Sequence, residues 1–434
     1  MELKKYNANH TQVLKINQIV RTISETHKFD KDKLIAINTS DVENGVMGNG
    51  TLTFVDELKG QFKKTIVKDD ILFSEIRPAN RRFAKVTTKN TKDYVVSTKL
   101  MVLRKYNEDV DLEYFYYCLT NQPFLDILQR RAENRIGSFP QITFDLLSEY
   151  AFPIPPISEQ KRISSVISTL DKKIALNRQI NQNLEAMAKQ LYDYWFMQFD
   201  FPNEEGKPYK SSGGEMVWNE KLKREIPKEW EVLNLGQITT SYQQGLIRSN
   251  NQLSDSSEFG YLKMGDLDGK GQYSLQKLAR TNATSEEVFL FSLHKGDFLI
   301  NVRNSKEIVG KTCLIDYVEE NTLFNHMLVR MSFDKVTSFY MNLLFNTDFM
   351  YRAMDGLKQG TTTVIALYQE DLYRLPIVVP TKNVMDTFSI IEKSILNQKE
   401  LLTNEIISLI KQRDELLPLL MNGQVSVNSD LSDD

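Results

Sequence analysis

The sequence predicts an α+β protein in which two strand-rich domains are each followed by a long helix, so that the chain is an internal repeat. Two stretches of the chain, 157–200 and 381–422, carry apolar residues at three- and four-residue steps, which is the period of an amphipathic helix. The segments that precede them, 1–156 and 230–380, share short motifs in the same order, and such ordered similarity indicates a duplication. We therefore expect two domains and two helices that pair in a coiled coil.

The first domain, residues 1–156, has the pattern of a strand-rich fold. Short apolar runs such as LIAINTSDV (34–42) and VVSTKLMVLRKY (95–106) are separated by turns rich in glycine, asparagine and lysine. A helical stretch follows at 111–133. The prolines of FPIPP (152–156) then favour an extended backbone, so a new helix begins only after them.

The first long helix, 157–200, contains neither glycine nor proline. At 1.5 Å per residue it would be about 60 Å long if continuous. Asn177 and Asn181 interrupt its apolar stripe, and so long a helix does not fit inside a compact core; we expect it to pair with another helix. On this helix the residues predicted to pair are Ile167, Leu170, Ile174, Asn177 and Leu184.

The second long helix, 381–422, is the predicted partner. When the sequence is shifted by 221 residues the two stripes coincide, with Ile167 on Phe388 and Asn177 on Gln398. Polar residues inside such a stripe often fix the register of a helix pair. The alternative is two unrelated surface helices. On this helix the residues predicted to pair are Phe388, Ile391, Ile395, Gln398, Leu402 and Leu409.

The repeat extends through the two domains. Each motif of the first domain has a counterpart in the second at a similar offset. The pairs are KDDILFSEIR (68–77) with KGDFLINVRN (295–304), MVLRK (101–105) with MLVRM (327–331), and IGSFPQIT (136–143) with QGTTTVIA (359–366). Between the repeats, 201–229 is rich in glycine, serine, proline and charged residues, which predicts a tethered linker rather than a core element. The tail, 423–434, is expected to be disordered.

Composition limits the class of protein. With 434 residues the chain should hold two or three domains, and 41% hydrophobic and 26% charged residues are typical of globular proteins. It has no run of eighteen apolar residues and no signal-peptide core, so we expect a cytoplasmic location and no membrane partner. The two cysteines, Cys118 and Cys313, are far apart, which argues against a disulfide framework or a zinc site. The net charge of −3 means that nucleic-acid binding would depend on local clusters and possibly on partner subunits.

The sequence contains no recognisable catalytic motif. Gly310-Lys311-Thr312 suggests a phosphate loop, but Ser305 replaces the required glycine and the segment after it reads as a strand. Asp70 and Glu75 could form a nuclease pair, yet the second copy has Val302 in place of Glu75. The four histidines are dispersed. We therefore predict neither a catalytic residue nor a metal site in this chain.

Basic and polar residues cluster at the same places in both copies, which favours nucleic-acid binding over a merely solvated surface. Arginine and lysine can contact phosphates, and arginine and glutamine can pair with base edges in the major groove. The predicted DNA-binding residues of the first copy are Arg77, Arg81, Arg82, Lys85, Arg130, Arg131, Arg135, Ser138 and Gln141. Those of the second copy are Arg303, Lys306, Lys311, Arg352, Lys358, Thr361 and Thr362, with Lys295 and Gln359 nearby.

The chain resembles the specificity (S) subunits of type I restriction–modification systems over essentially its whole length. The resemblance is carried by FPIPPISEQKRI (152–163), LDKKIALNRQINQNLEAMAKQLYDYWFMQFDF (170–201), GKPYKSSGGEMVWNEKLKREIPKEWEVLNLGQI (206–238) and IKQRDELLPLLMNGQVSV (410–427). It departs from the family pattern at TKNVMDTF (381–388), which lacks the P-x-x-E-Q motif found at 156–160, so the second helix start is expected to pack differently.

The resemblance implies two target recognition domains, each reading half of a bipartite site on double-stranded DNA, and two long helices that pack antiparallel as a spacer. It also implies partners: two modification subunits, which hold S-adenosylmethionine and methylate adenine, and restriction subunits, which translocate and cleave DNA. This chain itself would need no cofactor. Two other functions stay open, namely a coiled-coil adapter that joins proteins without reading DNA and an orphan nuclease.

Overall fold

The computed structural model describes residues 11–134, 140–273, 278–318, 321–360 and 364–421, and the chain forms two compact units. The first unit comprises residues 1–176 and 406–434, and the second comprises residues 177–405. Each unit therefore contains one strand-rich domain together with one part of each long helix.

The first unit is built on two four-stranded sheets whose central strands are buried. Residues of Ile71–Ser74 are all buried, as expected for an apolar run packed on both faces. Lys33–Ile37 and Tyr94–Ser97 pair in parallel, and the other neighbours are antiparallel. The strand order of one sheet is Thr51–Phe54, Lys33–Ile37, Tyr94–Ser97 and Phe62–Lys64. The order of the other is Val20–Thr22, Leu100–Lys105, Ile71–Ser74 and Phe83–Lys85. In addition, Gln12–Lys15 pairs with Ala151–Ile154, and Val42–Glu43 pairs with Val46–Met47. The helices are Leu112–Thr120, Gln122–Glu133 and Phe144–Ser148.

The second unit repeats this plan. Phe259–Leu262 and Thr322–Phe324 form its parallel pair, and the buried strand Phe298–Asn301 lies inside its larger sheet. The strand order of the four-stranded sheet is Thr239–Gln244, Leu328–Phe333, Phe298–Asn301 and Thr312–Leu314. Two three-stranded sheets have the orders Ala279–Thr281, Phe259–Leu262, Thr322–Phe324 and Arg303–Asn304, Ile365–Ala366, Gln359–Gly360. Glu231–Asn234 pairs with Pro376–Val379. The helices are Leu235–Ile238, Ser285–Phe291, Ser338–Phe345, Asp348–Asp355 and Gln369–Leu372.

One buried contact shows how closely the two units correspond. In the first, the Tyr114 hydroxyl donates to the carbonyl of Pro153 at 2.9 Å; in the second, the Tyr340 hydroxyl donates to the carbonyl of Val378 at 2.7 Å. Each tyrosine lies near the start of a helix whose first turn is capped by the preceding residue, Asp111 or Thr337. The predicted α+β repeat is confirmed.

The long helices span Ile157–Tyr192, extended by a π turn at Asp193–Met197, and Lys382–Met421. They run antiparallel in the second unit, where Asn177 contacts Glu405 at 2.8 Å and Glu185 contacts Lys399 at 2.9 Å. As the residue number rises along one helix it falls along the other, which confirms the antiparallel pair.

The shift of 221 residues between the helices is wrong, and the structure gives 225. In each unit a two-stranded pair directly precedes the long helix, and the last residue of that pair is Ile154 in the first unit and Val379 in the second. This correspondence places Ile163 on Phe388 and Tyr192 on Leu417. All four of these helix residues are buried. The error is four residues, or about one helical turn, and an apolar stripe repeats at that interval. Gln398, which the shift of 221 residues matched with Asn177, is exposed, whereas the neighbouring Lys399 is buried.

The segment 201–229, predicted to be a tethered linker, is instead folded. Met216–Asn219 and Arg224–Pro227 form an antiparallel hairpin, and Phe201 and Ile226 are buried in the core of the second unit. Phe201 stacks on Trp230 with ring centroids 5.0 Å apart. Scattered apolar and aromatic residues hold this segment, although its glycine and serine content suggested flexibility. The predicted tail, 423–434, lies outside the described residues.

Candidate nucleic-acid interface

In the first unit the predicted arginines lie on a strained turn after a buried strand. Arg77 and Arg81 flank the 3-10 turn Pro78–Asn80, with φ of 47° and 53° respectively. A non-glycine residue in this left-handed region costs about 1–2 kcal/mol. Such strain persists where the surroundings over-determine it, and it is common at binding sites.

The side chains around this turn hold it in place. The guanidinium of Arg81 donates to Asn44 Oδ1 at 2.8 Å and to Gln122 Oε1 at 2.6 Å. The backbone N–H of Ala79 donates to Gln129 Oε1 at 3.1 Å. Two helix side chains and one loop side chain therefore fix the turn, and Arg81 is partly occupied in doing so.

The second predicted cluster of this unit meets the first. The N–H of Arg77 donates to the carbonyl of Pro140 at 3.0 Å, and the N–H of Ile142 donates to the carbonyl of Glu75 at 2.8 Å. The amide of Gln141 also donates to Glu75 Oε2 at 2.9 Å. Two segments that are more than sixty residues apart in the chain thus form one surface. Arg135 and Ser138, predicted for the same surface, lie outside the described residues.

The remaining predicted residues of the first unit differ in how far their side chains are engaged by other parts of the protein. Lys85 forms an ion pair with Glu113, and burial lowers its pKa, so it is a structural lysine more than a free cation. Arg82 donates to the carbonyl of Ser40 at 3.0 Å. Arg130 and Arg131 are exposed on the helix Gln122–Glu133.

In the second unit the two predicted clusters also meet, through a small sheet. Arg303–Asn304 pairs with Ile365–Ala366, which pairs in turn with Gln359–Gly360. Gly360 has a φ of 142°, and a Cβ there would lie 2.2 Å from the carbonyl oxygen of Val364, so only glycine fits this hairpin. The exposed Arg303 therefore lies beside the glycine hairpin. Thr361 and Thr362, which were predicted to bind DNA, lie outside the described residues.

The other lysines and arginines predicted in this unit are more scattered. Lys306 is exposed, whereas the Lys358 side chain is only 12% exposed and donates to the carbonyl of Lys306 at 3.2 Å. Lys311 is half-buried, and Arg352 is exposed and lines a cavity of about 670 Å³ that also includes Lys189. Lys295 forms an ion pair with Glu400 of the second long helix, which is a structural role.

The sequence patterns missed two loops that adjoin Arg303. The N–H of Val302 donates to the carbonyl of Met327 at 3.0 Å, and the amide of Gln244 donates to the carbonyl of His326 at 2.7 Å. Burial and the nearby guanidinium of Arg303 lower the pKa of His326, so its imidazole is neutral near pH 7. His326 stood alone in the sequence, and only the sheet pairing places it beside the arginine.

A family model described as the type I restriction modification DNA specificity domain matches the chain twice, over residues 10–186 and 227–412. The chain belongs to this family. The two matches fall on the two repeats seen in the fold.

The chain is also similar to individual type I specificity subunits. The chain is 28% identical over 467 residues to the type I restriction enzyme HindI specificity subunit of Haemophilus influenzae, covering 94% of this chain and 98% of that protein. It is 25% identical over 331 residues to the MjaIX specificity subunit of Methanocaldococcus jannaschii, covering 73% and 69%. Among solved structures, the S subunit of the type I system from M. genitalium superposes with a TM-score of 0.50 at 16% identity, covering 96% of this chain and 98% of that one, which shows a shared fold.

The acidic residue considered for a nuclease has a structural role in this member of the type I specificity family. Arg104 contacts both carboxylate oxygens of Asp70 at 2.8 Å, and Asp70 also accepts from the N–H of Val67. The second unit repeats the pair, with Arg330 3.0 Å from Asp297. In the described part of the chain no group of three or more His, Cys, Asp or Glu side chains is arranged to hold a metal ion.

The predicted helix-pairing residues divide into those that are buried and those that are not. Ile167, Ile174, Asn177, Phe388 and Leu409 are buried, and Gln398 is exposed. The partly buried members are Leu170, Leu184, Ile391, Ile395 and Leu402. Asn177 donates to Glu405 of the other long helix, and Gln398 is not its counterpart in the repeat. No helix among the described residues is long and apolar enough to cross a membrane.

Proposed function

We propose that this chain is the sequence-reading subunit of a type I restriction–modification complex, in which each strand-rich domain reads one half of a bipartite duplex site. The observation that carries this proposal is the surface that occurs once in each unit. Arg77 lies beside Gln141 in the first, and in the second Arg303 and Gln359 lie on the two strands that flank Ile365–Ala366. Arginine and glutamine have the donors and acceptors that distinguish guanine and adenine in the major groove.

The chemistry of DNA modification belongs, in this proposal, to partner proteins in the cytoplasm. Two modification subunits hold S-adenosylmethionine and methylate adenine, and restriction subunits translocate and cleave DNA. The chain supplies recognition and no catalytic residue. Asp70, the carboxylate considered for a nuclease, is occupied by Arg104, which favours this division over an orphan nuclease.

The paired helices set the distance between the half-sites. Half-sites read from one face of the duplex are expected about one helical turn, roughly 34 Å, apart. Inserting four residues at matched points of both helices should change the preferred spacer and leave both half-site sequences unchanged. An unchanged spacer would remove the helices from this role.

The decisive experiment exchanges one recognition domain. Residues 230–380 are replaced by the equivalent domain of another type I specificity subunit, and the methylated sites of the host are mapped by methylome sequencing. We expect one half-site to change and the other to persist. If both change, or neither, the assignment of one half-site to each domain is wrong.

The adapter alternative makes a different prediction. A coiled-coil adapter would assemble with its partners but would not shift a duplex in a gel. We expect the chain together with its modification subunits to bind duplex DNA with a sequence preference. Assembly without any binding to DNA would favour the adapter.

A further inference from the structure

A single buried ammonium group joins three parts of the second unit. Lys399, on the second long helix, is 6% exposed. Its Nζ lies 2.9 Å from Glu185 on the first long helix and 2.5 Å from Asp316 on the strand-rich domain. A fourth residue, Gln272 of the same domain, accepts a hydrogen bond at 3.2 Å. We call these four residues the Lys399 clamp.

The clamp stays charged in the folded protein. Burial by itself lowers the pKa of Lys399, but the carboxylates of Asp316 and Glu185 outweigh that effect, and the net pKa is raised. The ammonium therefore has two anionic partners, one on a helix and one on the domain. It holds the domain to both helices at once, because Lys399 itself lies on the other helix.

Packing alone does not require a lysine at this position. With the shift of 225 residues, the counterpart of Lys399 in the first unit is Ile174, which is also buried. Replacing a buried ion pair by apolar residues of similar size is often neutral or stabilising. Polar contacts inside an apolar stripe are best known for fixing one arrangement among several that pack almost equally well.

Apolar packing and the clamp together hold the domain on the helices. Tyr340 and Phe339 of the domain contact Phe196 and Phe388 of the helices, with ring centroids 4.9 Å and 5.9 Å apart. A cavity of about 550 Å³ lies beside Lys399, lined by Glu185 and Asp316 and by Asn342 and Leu343 of the domain. Because apolar contact is non-directional, the directional polar contacts of the clamp are the ones that favour a single orientation of the domain on this face.

We propose that Lys399 is a positioning residue that fixes the second recognition domain on the helix pair and thereby restricts the spacer between the half-sites. This rests on the proposed function. One extra base pair turns the second half-site by about 35° around the duplex. A domain held at one angle must twist or bend the DNA to reach it, whereas a loosened domain can follow the rotation.

The test uses a variant in which the clamp is neutral but keeps its size: Lys399→Met, Glu185→Gln and Asp316→Asn together. The matched control is Lys393→Met, an exposed lysine on the same helix. Each variant is assembled with its modification subunits. Methylation is measured on duplexes that carry the mapped half-sites with the native spacer, one base pair less and one base pair more.

We expect the clamp variant to lose discrimination between native and altered spacers by at least about fivefold, while preference for each half-site sequence stays that of the wild type. The control should keep the wild-type ratio. Lys399→Arg, which preserves the cation, should retain most of the discrimination. A purely structural lysine would lower methylation of all spacers equally.

A spacer ratio that stays at the wild-type value in the folded clamp variant overturns the proposal, as does a joint change in half-site preference. Gln272→Ala gives a milder second measurement, because it removes one contact without leaving a buried charge unpaired; it should move the ratio in the same direction. A wild-type complex that ignores one half-site altogether would instead refute the bipartite function itself.

Discussion

The two units share a fold but hold the starts of their long helices in different ways. In the first unit Gln160 is fully buried; its amide oxygen accepts from the N–H of Asp111 at 2.7 Å, and its amide nitrogen donates to the carbonyls of Asp109 and Pro155. At the matching position of the second unit stands Met385, beside a cavity of about 640 Å³. The missing P-x-x-E-Q motif therefore has a structural consequence.

The same divergence recurs along the helix stripe. The buried Ile167 and Ile174 of the first unit correspond to Glu392 and Lys399 of the second. Burial raises the pKa of Glu392, and the positive charge of Lys399 is balanced by two carboxylates. The comparison teaches that a duplicated fold keeps the order of its elements, while the contacts that tie domain to helix differ between the copies.

The largest expected loss of stability distinguishes the two arginine–aspartate pairs. The Asp70 side chain is 1% exposed and that of Asp297 is 19% exposed. Arg104→Leu leaves Asp70 buried without its cation, which should lower the free energy of unfolding by about 3–5 kcal/mol. Arg330→Leu leaves a carboxylate that water can reach, and should cost about 1–3 kcal/mol. Urea unfolding of both variants measures this, and equal losses would contradict the burial argument.

A smaller effect is expected at the helix starts. Gln160→Leu leaves the Asp111 N–H and two carbonyls without their partner in a buried site, at a cost of about 2–4 kcal/mol. Met385→Leu conserves shape and should cost less than about 1.5 kcal/mol. The measurement is again urea unfolding, with hydrogen exchange of the Asp111 amide as a local probe. If the two variants lose equal stability, Gln160 is not what secures the first helix start.

These comparisons also show where sequence reasoning reaches its limit. The repeat and both helices could be predicted, because apolar periodicity and motif order survive duplication. The shift between the helices could not, since a stripe that repeats every turn matches itself after a slip of four residues. Lys85 and Lys295 were predicted or suspected to meet DNA, yet each is paired with a glutamate that only the tertiary fold brings near.

The two candidate DNA surfaces should be separable by mutation. Arg77→Lys and Arg303→Lys keep the charge but lose the planar guanidinium that can bond two acceptors on guanine. Each should weaken recognition of one half-site by about 1–3 kcal/mol and leave the other unaffected. Competition binding of the complex with duplexes mutated in either half-site tests this. A uniform loss over all sequences would mean that these arginines contact phosphates only.

The smallest expected effect is on the salt dependence of DNA binding, and it concerns two lysines with different partners. Lys306 is exposed near the second surface, whereas Lys85 near the first is bound to Glu113. If Lys306 contacts one phosphate, Lys306→Ala should lower the slope of log affinity against log salt by about 0.9, because one fewer counterion is released on binding. Lys85→Ala should leave the slope unchanged, since its charge is already neutralised within the protein. Titrations of the assembled complex between low and moderate salt measure both slopes. A fall in slope for Lys85→Ala would show that its ion pair opens when DNA binds, and that Lys85 belongs to the first surface.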